Sequence, residues 1–336
     1  MSNQIQNAFG HLDRMSDHRG LFEHAKGNVR REEHGYCTDD NARLLVVTSR
    51  EDSDRNCGSL GGLALQFVLA AQDADGSCRN RMNRLGHWTD DAGTEDCWGR
   101  SVWALGVAAA AHPELSVRAL ALSGFQIGIR QRSKWPRAMA FAALGAADVV
   151  AQEGLDDPAR LLLEDTLELI GSARAQDWCW PEDRLRYANA ALAEAVIAAG
   201  AALQDDKALE RGLAMLTWLL ERETSGDHLS TTGVDGRGPL DCSPQFDQQA
   251  IEVAAIADAC WRAYQVTCDA GWNTGIAAAA RWFEGDNDIG AVMYDPISGG
   301  GFDGLHRDGV NLNQGAESTL ALVSTMQRAQ LLVEAA

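Results

Sequence analysis

Gly35-Tyr36-Cys37-Thr38-Asp39-Asp40-Asn41-Ala42-Arg43 sets two adjacent carboxylates where an irregular polar segment gives way to an apolar helix. Thr38 or Asp39 can accept from the free backbone N–H groups of the first turn, and both carboxylates suit the positive end of the helix dipole. A capped helix start is the simplest reading. The same kind of junction recurs down the chain, however, and several recurrences set carboxylates beside tryptophan, as in Glu95-Asp96-Cys97-Trp98 and Trp178-Cys179-Trp180-Pro181-Glu182-Asp183.

Outward from this junction two kinds of helix alternate. Residues 3–15, 59–72, 114–129, 158–173, 207–221 and 271–283 are amphipathic, whereas 39–48, 95–111, 136–151, 187–203, 247–264 and 315–332 are alanine-rich and apolar on most faces. A helix apolar all round has to be enclosed by others, and an amphipathic one forms an outer layer. Six outer–inner pairs at a period of roughly 50 residues predict an all-α chain, an (α/α)6 toroid, occupying 1–336 as a single barrel domain. Its inner helices run parallel around an axis with their N-termini on one rim, and small alanine side chains allow the close approach this requires. The connections into the inner helices, 16–38, 73–94, 174–186, 222–246 and 284–314, are long and rich in Gly, Asp, Trp and Asn, although 131–135 is short. The opposite links, such as His112-Pro113, are brief. Long connections in a compact domain are usually functional, so one rim is the working face.

The net charge of −19 is spread along the chain, which argues against nucleic-acid or anionic-membrane binding and for a neutral or cationic ligand. No apolar run approaches the roughly 18 residues needed to cross a bilayer, and Met1-Ser2-Asn3-Gln4 lacks the features of a signal peptide. A cytoplasmic location is expected. The eight cysteines contain no C-x-x-C pair and read as reduced, semi-buried thiols. Cys37, Cys97 and His34 lack ligand spacing, so neither a metal nor a cofactor is expected.

If the inner N-termini share a rim, Asp39, Asp40, Glu95, Asp96, Trp135, Trp178, Trp180, Glu182, Asp247, Asn313, Gln314 and Glu317 converge there despite their separation in sequence. Acids beside aromatic rings in a bowl are what glycoside chemistry requires. Rings stack on sugar C–H faces, and carboxylates fix hydroxyls, protonate the leaving oxygen and activate water. Arg43 and Arg100 each lie about one turn inside a helix, placed to orient the preceding acids. Tyr36 leads into the first pair, and Gln245 belongs to an amide-rich stretch suited to reading ligand hydroxyls. Glu317 sits beside Ala316, where desolvation raises a carboxyl toward the value an acid catalyst needs.

His-Gly-Tyr-Cys-Thr-Asp-Asp-Asn-Ala-Arg (34–43), Pro-Gln-Phe-Asp-Gln-Gln (244–249), Trp-Phe-Glu-Gly-Asp-Asn-Asp (282–288) and Asn-Gln-Gly-Ala-Glu-Ser-Thr (313–319) resemble an uncharacterised bacterial α-helical domain. That domain is often fused behind glycosyltransferases, and the resemblance spans nearly the full chain. It implies a six-hairpin, glycosidase-like fold and a functional link to a glycosyltransferase. The chain itself has no Gly-rich βα nucleotide-sugar unit, so transferase activity is expected of the fused partner and not of this chain. A weaker similarity is to family 9 glycoside hydrolases, inverting enzymes with an early aspartate pair and a glutamate at the last inner helix. By that analogy Glu317 is the general acid and Asp40, or Asp39, the base.

The expected function is therefore hydrolysis of a neutral oligosaccharide, inverting by preference. The competing expectations are a lyase, epimerase or phosphorylase on the same scaffold, with His34, Tyr36, His87, Tyr187, His228 and His306 as candidate bases, and a non-catalytic sugar-binding module.

Overall fold

A computed structural model describes residues 2–51, 57–154, 157–175 and 177–334. In chain order the helices are α1 (Ser2–Arg14), α2 (Thr38–Ser49), α3 (Gly58–Ala71), α4 (Asp96–Ala111), α5 (Leu115–Gly128), α6 (Pro136–Glu153), α7 (Asp157–Ile170), α8 (Asn189–Leu203), α9 (Asp206–Arg222), α10 (Ala250–Thr267), α11 (Asn273–Phe283) and α12 (Ala316–Glu334). The even-numbered helices form the inner ring, each packing on the next, and α12 returns against α2 to close it. The odd-numbered helices lie outside. The (α/α)6 barrel expected from the alternation is the fold observed.

The composition explains the layering. In α8, every residue from Asn189 to Gly200 is buried, including Leu192, Val196 and Ile197, and burying each such aliphatic side chain contributes about 1.5–3 kcal/mol. Between α4 and α6 the backbones themselves touch: a Cβ on Gly106 would lie 2.4 Å from the Gly145 carbonyl oxygen. One apolar cluster runs from Ile5 on α1 to Ala329 on α12. Among the described residues, no helix is long and apolar enough to cross a membrane.

Two inner helices begin later than the periodicity implied. Ala188 is left-handed (φ 46°), and Asn189 Oδ1 accepts the Arg186 N–H at 2.8 Å, so α8 starts at Asn189. Gln248 is extended, bridging to both Gly233 and Leu305, which delays α10 to Ala250.

Short antiparallel pairings stiffen the connections at the inner N-termini. Ala25–Lys26 pairs with Val29–Arg30, Tyr36–Cys37 with Arg81–Met82, Thr224–Ser225 with His228–Leu229, and Gly304–His306 with Gly309–Asn311. All four fall in the long connections, so that rim carries the extra structure. The start of α2 is capped from one of them: Thr38 N donates to the backbone oxygen (2.9 Å) and Oδ1 (3.1 Å) of Asn80. The N-cap residue, Cys37, makes no side-chain capping bond. The simplest reading of the opening stretch is thus replaced, because Asn80 takes the capping role and leaves Asp39 and Asp40 free for other partners.

Candidate active site

Arg43 organises the centre of the rim. Its Nη1 donates to Asp40 Oδ1 at 2.5 Å and its Nη2 to Glu317 Oε2 at 2.8 Å, so one guanidinium joins carboxylates 277 positions apart on α2 and α12. Asp40 is 2% exposed, while the Glu317 side chain keeps 42% of its surface. Burial pushes the Asp40 carboxyl up to about 6, outweighing Arg43, and the neighbouring Glu317 charge acts in the same direction. On Arg43 itself burial disfavours the charge, but Glu317 and Asp40 overcome it and hold the group protonated. The Cys37 thiol donates to Asp40 Oδ2 at 3.0 Å and is itself pushed well up by burial, so it acts as a neutral donor. The desolvated carboxyl is accordingly Asp40 and not, as position beside Ala316 implied, Glu317.

These groups line a polar cavity of about 380 Å³. Asp39 joins them, taking Arg100 Nη1 at 3.1 Å, and Arg100 lies over the Phe141 ring, 4.6 Å from its centroid. Asp247 enters from the start of the fifth pair with His306 Nε2 3.5 Å away, and burial raises its carboxyl. Of the residues singled out from the sequence, Asp39, Asp40, Arg43, Arg100, Asp247 and Glu317 meet here. Asp96 stands just behind, accepting from the Tyr187 hydroxyl at 2.7 Å and lying 3.8 Å from Arg100.

Others are used elsewhere. Tyr36 is fully buried between Phe22 and Phe67 and donates to Asp17 at 2.8 Å. Trp178 and Trp180 pack on Trp218 of α9, and the Trp178 indole donates to the Glu182 carbonyl at 2.7 Å. The Glu182 carboxylate grips Arg137 with both oxygens, at 2.7 and 2.9 Å. Trp135 is 49% exposed beneath the Lys134 ammonium, and neither it nor the exposed Glu95 lines the cavity. Glu95 makes no side-chain cap to α4. Gln245 borders a separate cavity with Phe246 and Arg307. Asn313 Oδ1 accepts the Gly27 N–H at 3.0 Å, and buried Gln314 is bound to Ser298 and Asp295. The acids therefore converge, whereas no tryptophan or tyrosine lines this cavity.

The sequence reading missed Glu23, His24, Arg81, Gln249, Asp303, Asn311 and Ser318, which complete the lining. Asp303 accepts the Gly315 N–H at 2.8 Å and the Ser318 hydroxyl at 2.6 Å, fixing the entry to α12. For Glu23, His24, Arg81, Asp303 and Asn311 the signal was their place in the long connections, whereas Gln249 and Ser318 fall at the starts of segments read as inner helices. Glu23, Cys37 and Asp40 have candidate ligand atoms within 4.8 Å of one another. Arg81 pairs with Glu23, Arg43 with Asp40, and the thiol keeps its proton, so this set does not suit a cation.

Below Arg43, Arg100 and Glu317 lies an apolar chamber of about 60 Å³ lined by Val46, Trp103, Phe141, Ile251 and Leu320 among others. Its floor is an ion cluster. Asp258 receives Arg50 at 3.1 Å, Arg328 at 2.6 Å and the Ser324 hydroxyl at 2.9 Å, while Arg262 joins Asp148 (2.8 Å) to Glu194 (3.6 Å).

No protein-family model matches the chain, and no curated relative matches it. Solved structures do share its fold. A sugar epimerase from a ruminal bacterium superposes with a TM-score of 0.73 at 13% identity over 99% of this chain and 96% of its own. Cellobiose 2-epimerase from Bacillus thermoamylovorans gives 0.71 at 10% identity, covering 99% and 98%. A family 76 α-mannanase from Bacteroides thetaiotaomicron gives 0.67 at 11% identity, covering 99% and 96%. At such identities the similarity establishes the (α/α)6 architecture across nearly the whole chain, and the chemistry has to be argued from the site.

Proposed function

We propose that this chain is a carbohydrate-active enzyme, a glycoside hydrolase that takes a neutral oligosaccharide into the rim cavity. The observation that carries the reading is the unequal carboxyl pair on Arg43. Paired acids whose surroundings differ take opposite proton roles. Asp40, buried and raised to about 6, is the acid that protonates the leaving oxygen, and the more open Glu317 is the base that activates water. These roles are the reverse of those implied by analogy with family 9 enzymes. Both oxygens bond one guanidinium, so they stand less than about 8 Å apart, a bound compatible with either the retaining or the inverting spacing. Asp39, Asp303 and Asn311 are the groups to fix hydroxyls. The excess of carboxylates over arginines in the lining disfavours uronates. The resemblance to a domain fused behind glycosyltransferases fits a role in trimming or checking a transferase product.

The test is hydrolysis of a panel of manno- and gluco-oligosaccharides, followed by release of reducing ends. Glu317→Gln lowers kcat by about 10²–10⁴-fold with an unchanged circular dichroism spectrum. The wild-type kcat/KM falls as pH rises above about 6, where Asp40 gives up its proton. Near-wild-type turnover by Glu317→Gln removes it from the mechanism.

A second reading, epimerisation, is favoured by the Asp247–His306 contact and by His24 in the same lining, since a carboxylate-oriented imidazole can remove a carbon-bound proton. Two structural neighbours, a sugar epimerase and a cellobiose 2-epimerase, favour the same reading. Reaction in D2O separates the two. Deuterium appearing on a sugar carbon without new reducing ends overturns hydrolysis and moves the chemistry to the histidines.

A further inference from the structure

Beside the catalytic cavity lies a second one of about 280 Å³, to which the mechanism gives no work. Gln249 lines both, and an ion pair and a hydrogen bond in series connect them: Arg100 of the first lies 3.8 Å from Asp96, which accepts from Tyr187 of the second. The walls are held firmly. Leu185 and Arg237 exchange backbone hydrogen bonds of 2.8 and 2.9 Å, and Gly233 bridges to Gln248 at the start of α10.

Tyr187 is the one aromatic side chain in this lining, and it is 42% exposed. Its ring is fixed at the hydroxyl and covered on one face, which leaves the other face for a ligand. The hydroxyl is tied to Asp96, and the Arg137 guanidinium, clamped by Glu182, lies 4.7 Å from the ring centroid. Burial and then Asp96 push its phenol up from the usual value, so it keeps its proton and is unsuited to act as a base. The arginines at the edge are already matched, Arg184 with Asp241 (3.2 Å) and Arg186 with Asp183 (3.3 Å). Two carboxylates also line the cavity: Glu252, buried and accepting from the Asn189 amide and backbone, and the exposed Asp235, which is placed to take a hydroxyl. A rigid, partly exposed ring beside hydrogen-bond acceptors and backbone polar groups suits an uncharged sugar ring.

We infer that this cavity is a distal subsite in which Tyr187 stacks against the sugar next along the chain from the unit held at Asp40 and Glu317. The inference rests on the proposed carbohydrate substrate and narrows it to an oligosaccharide long enough to span both cavities, cut within the chain.

Binding separates this idea from the catalytic one. Unlabelled manno- and gluco-oligosaccharides of one to five units are titrated calorimetrically into the Glu317→Gln protein. Affinity rises at least tenfold at the length that bridges the two cavities and then levels off. Tyr187→Ala collapses that increment and Tyr187→Phe retains it. Val234→Arg, at a position 58% exposed on the cavity wall, fills the cavity without touching Tyr187 and collapses it too, which guards against a folding defect in the alanine variant. Affinity independent of length, or an increment that survives both Tyr187→Ala and Val234→Arg, overturns the subsite. Length-dependent binding lost in these variants but without any turnover by the wild type supports the subsite and sinks the hydrolase. Turnover without length dependence does the opposite.

Discussion

Replacing Asp40 by Asn should make the protein more stable at neutral pH while destroying its activity. Folding raises the Asp40 carboxyl from 3.8 to about 6, because loss of water costs the charged form more than Arg43 returns. Between those values the folded chain holds a proton that the unfolded chain has released. The contribution of this group is therefore full below about pH 4 and is lost as pH rises through about 6. A change of this size is worth about 3 kcal/mol. Asn keeps the shape of the side chain. Its oxygen can take the Arg43 bond and its amide the Cys37 sulfur, and Arg43 retains Glu317. Urea unfolding of both proteins between about pH 4 and pH 8 is the assay. The two should be of similar stability at the acid end, with the variant ahead by up to about 3 kcal/mol at the alkaline end. A difference that does not vary with pH, or one that grows in favour of the wild type, would falsify the argument, since it would mean the ionised carboxylate is stabilised where it lies.

Two further perturbations probe the scaffold. Asp258→Ala strands Arg50 and Arg328 without their shared carboxylate, and denaturant unfolding should show a loss of about 3–5 kcal/mol. Gly106→Ala drives a methyl group against the Gly145 carbonyl and must part α4 from α6, a loss of about 1–3 kcal/mol or more measured in the same way.

The barrel was legible because its two helix types differ in the property that decides their layer. Alanine-rich segments apolar on every face can only be enclosed, and six of them alternating with amphipathic partners leave a closed ring as the economical arrangement. The carboxylates of α2 and α12 were legible for a related reason, since the first turns of parallel inner helices must share a rim. The tryptophans misled because a ring next to an acid has two uses. Trp178 and Trp180 anchor a connection to Trp218 on α9, and Glu182 serves Arg137, contacts that no local pattern encodes. The capping of α2 by Asn80 and the arrival of Glu23, His24 and Asp303 in the cavity are long-range events in segments without periodicity. There, residue type alone does not say which way a side chain points.

Asp40 at the rim and Asp258 below it are both buried carboxylates that meet arginine, and they differ in how many cations each one meets. Burial pushes the Asp258 carboxyl up, but Arg50, Arg328 and the Ser324 hydroxyl together outweigh it and hold the group below its usual value. With two cations and a hydroxyl donor, that carboxylate has every reason to stay ionised and none to exchange a proton. Asp40 has one guanidinium, and that is shared with Glu317, so two carboxyl groups divide one positive charge. Burial is what chiefly lifts Asp40 to about 6, with the Glu317 charge adding to it, and burial raises Glu194, which shares Arg262 with Asp148, in the same way. Because Arg43 reaches across from α2 to α12 and is not confined to its own helix, closure of the barrel and the meeting of Asp40 with Glu317 are one event.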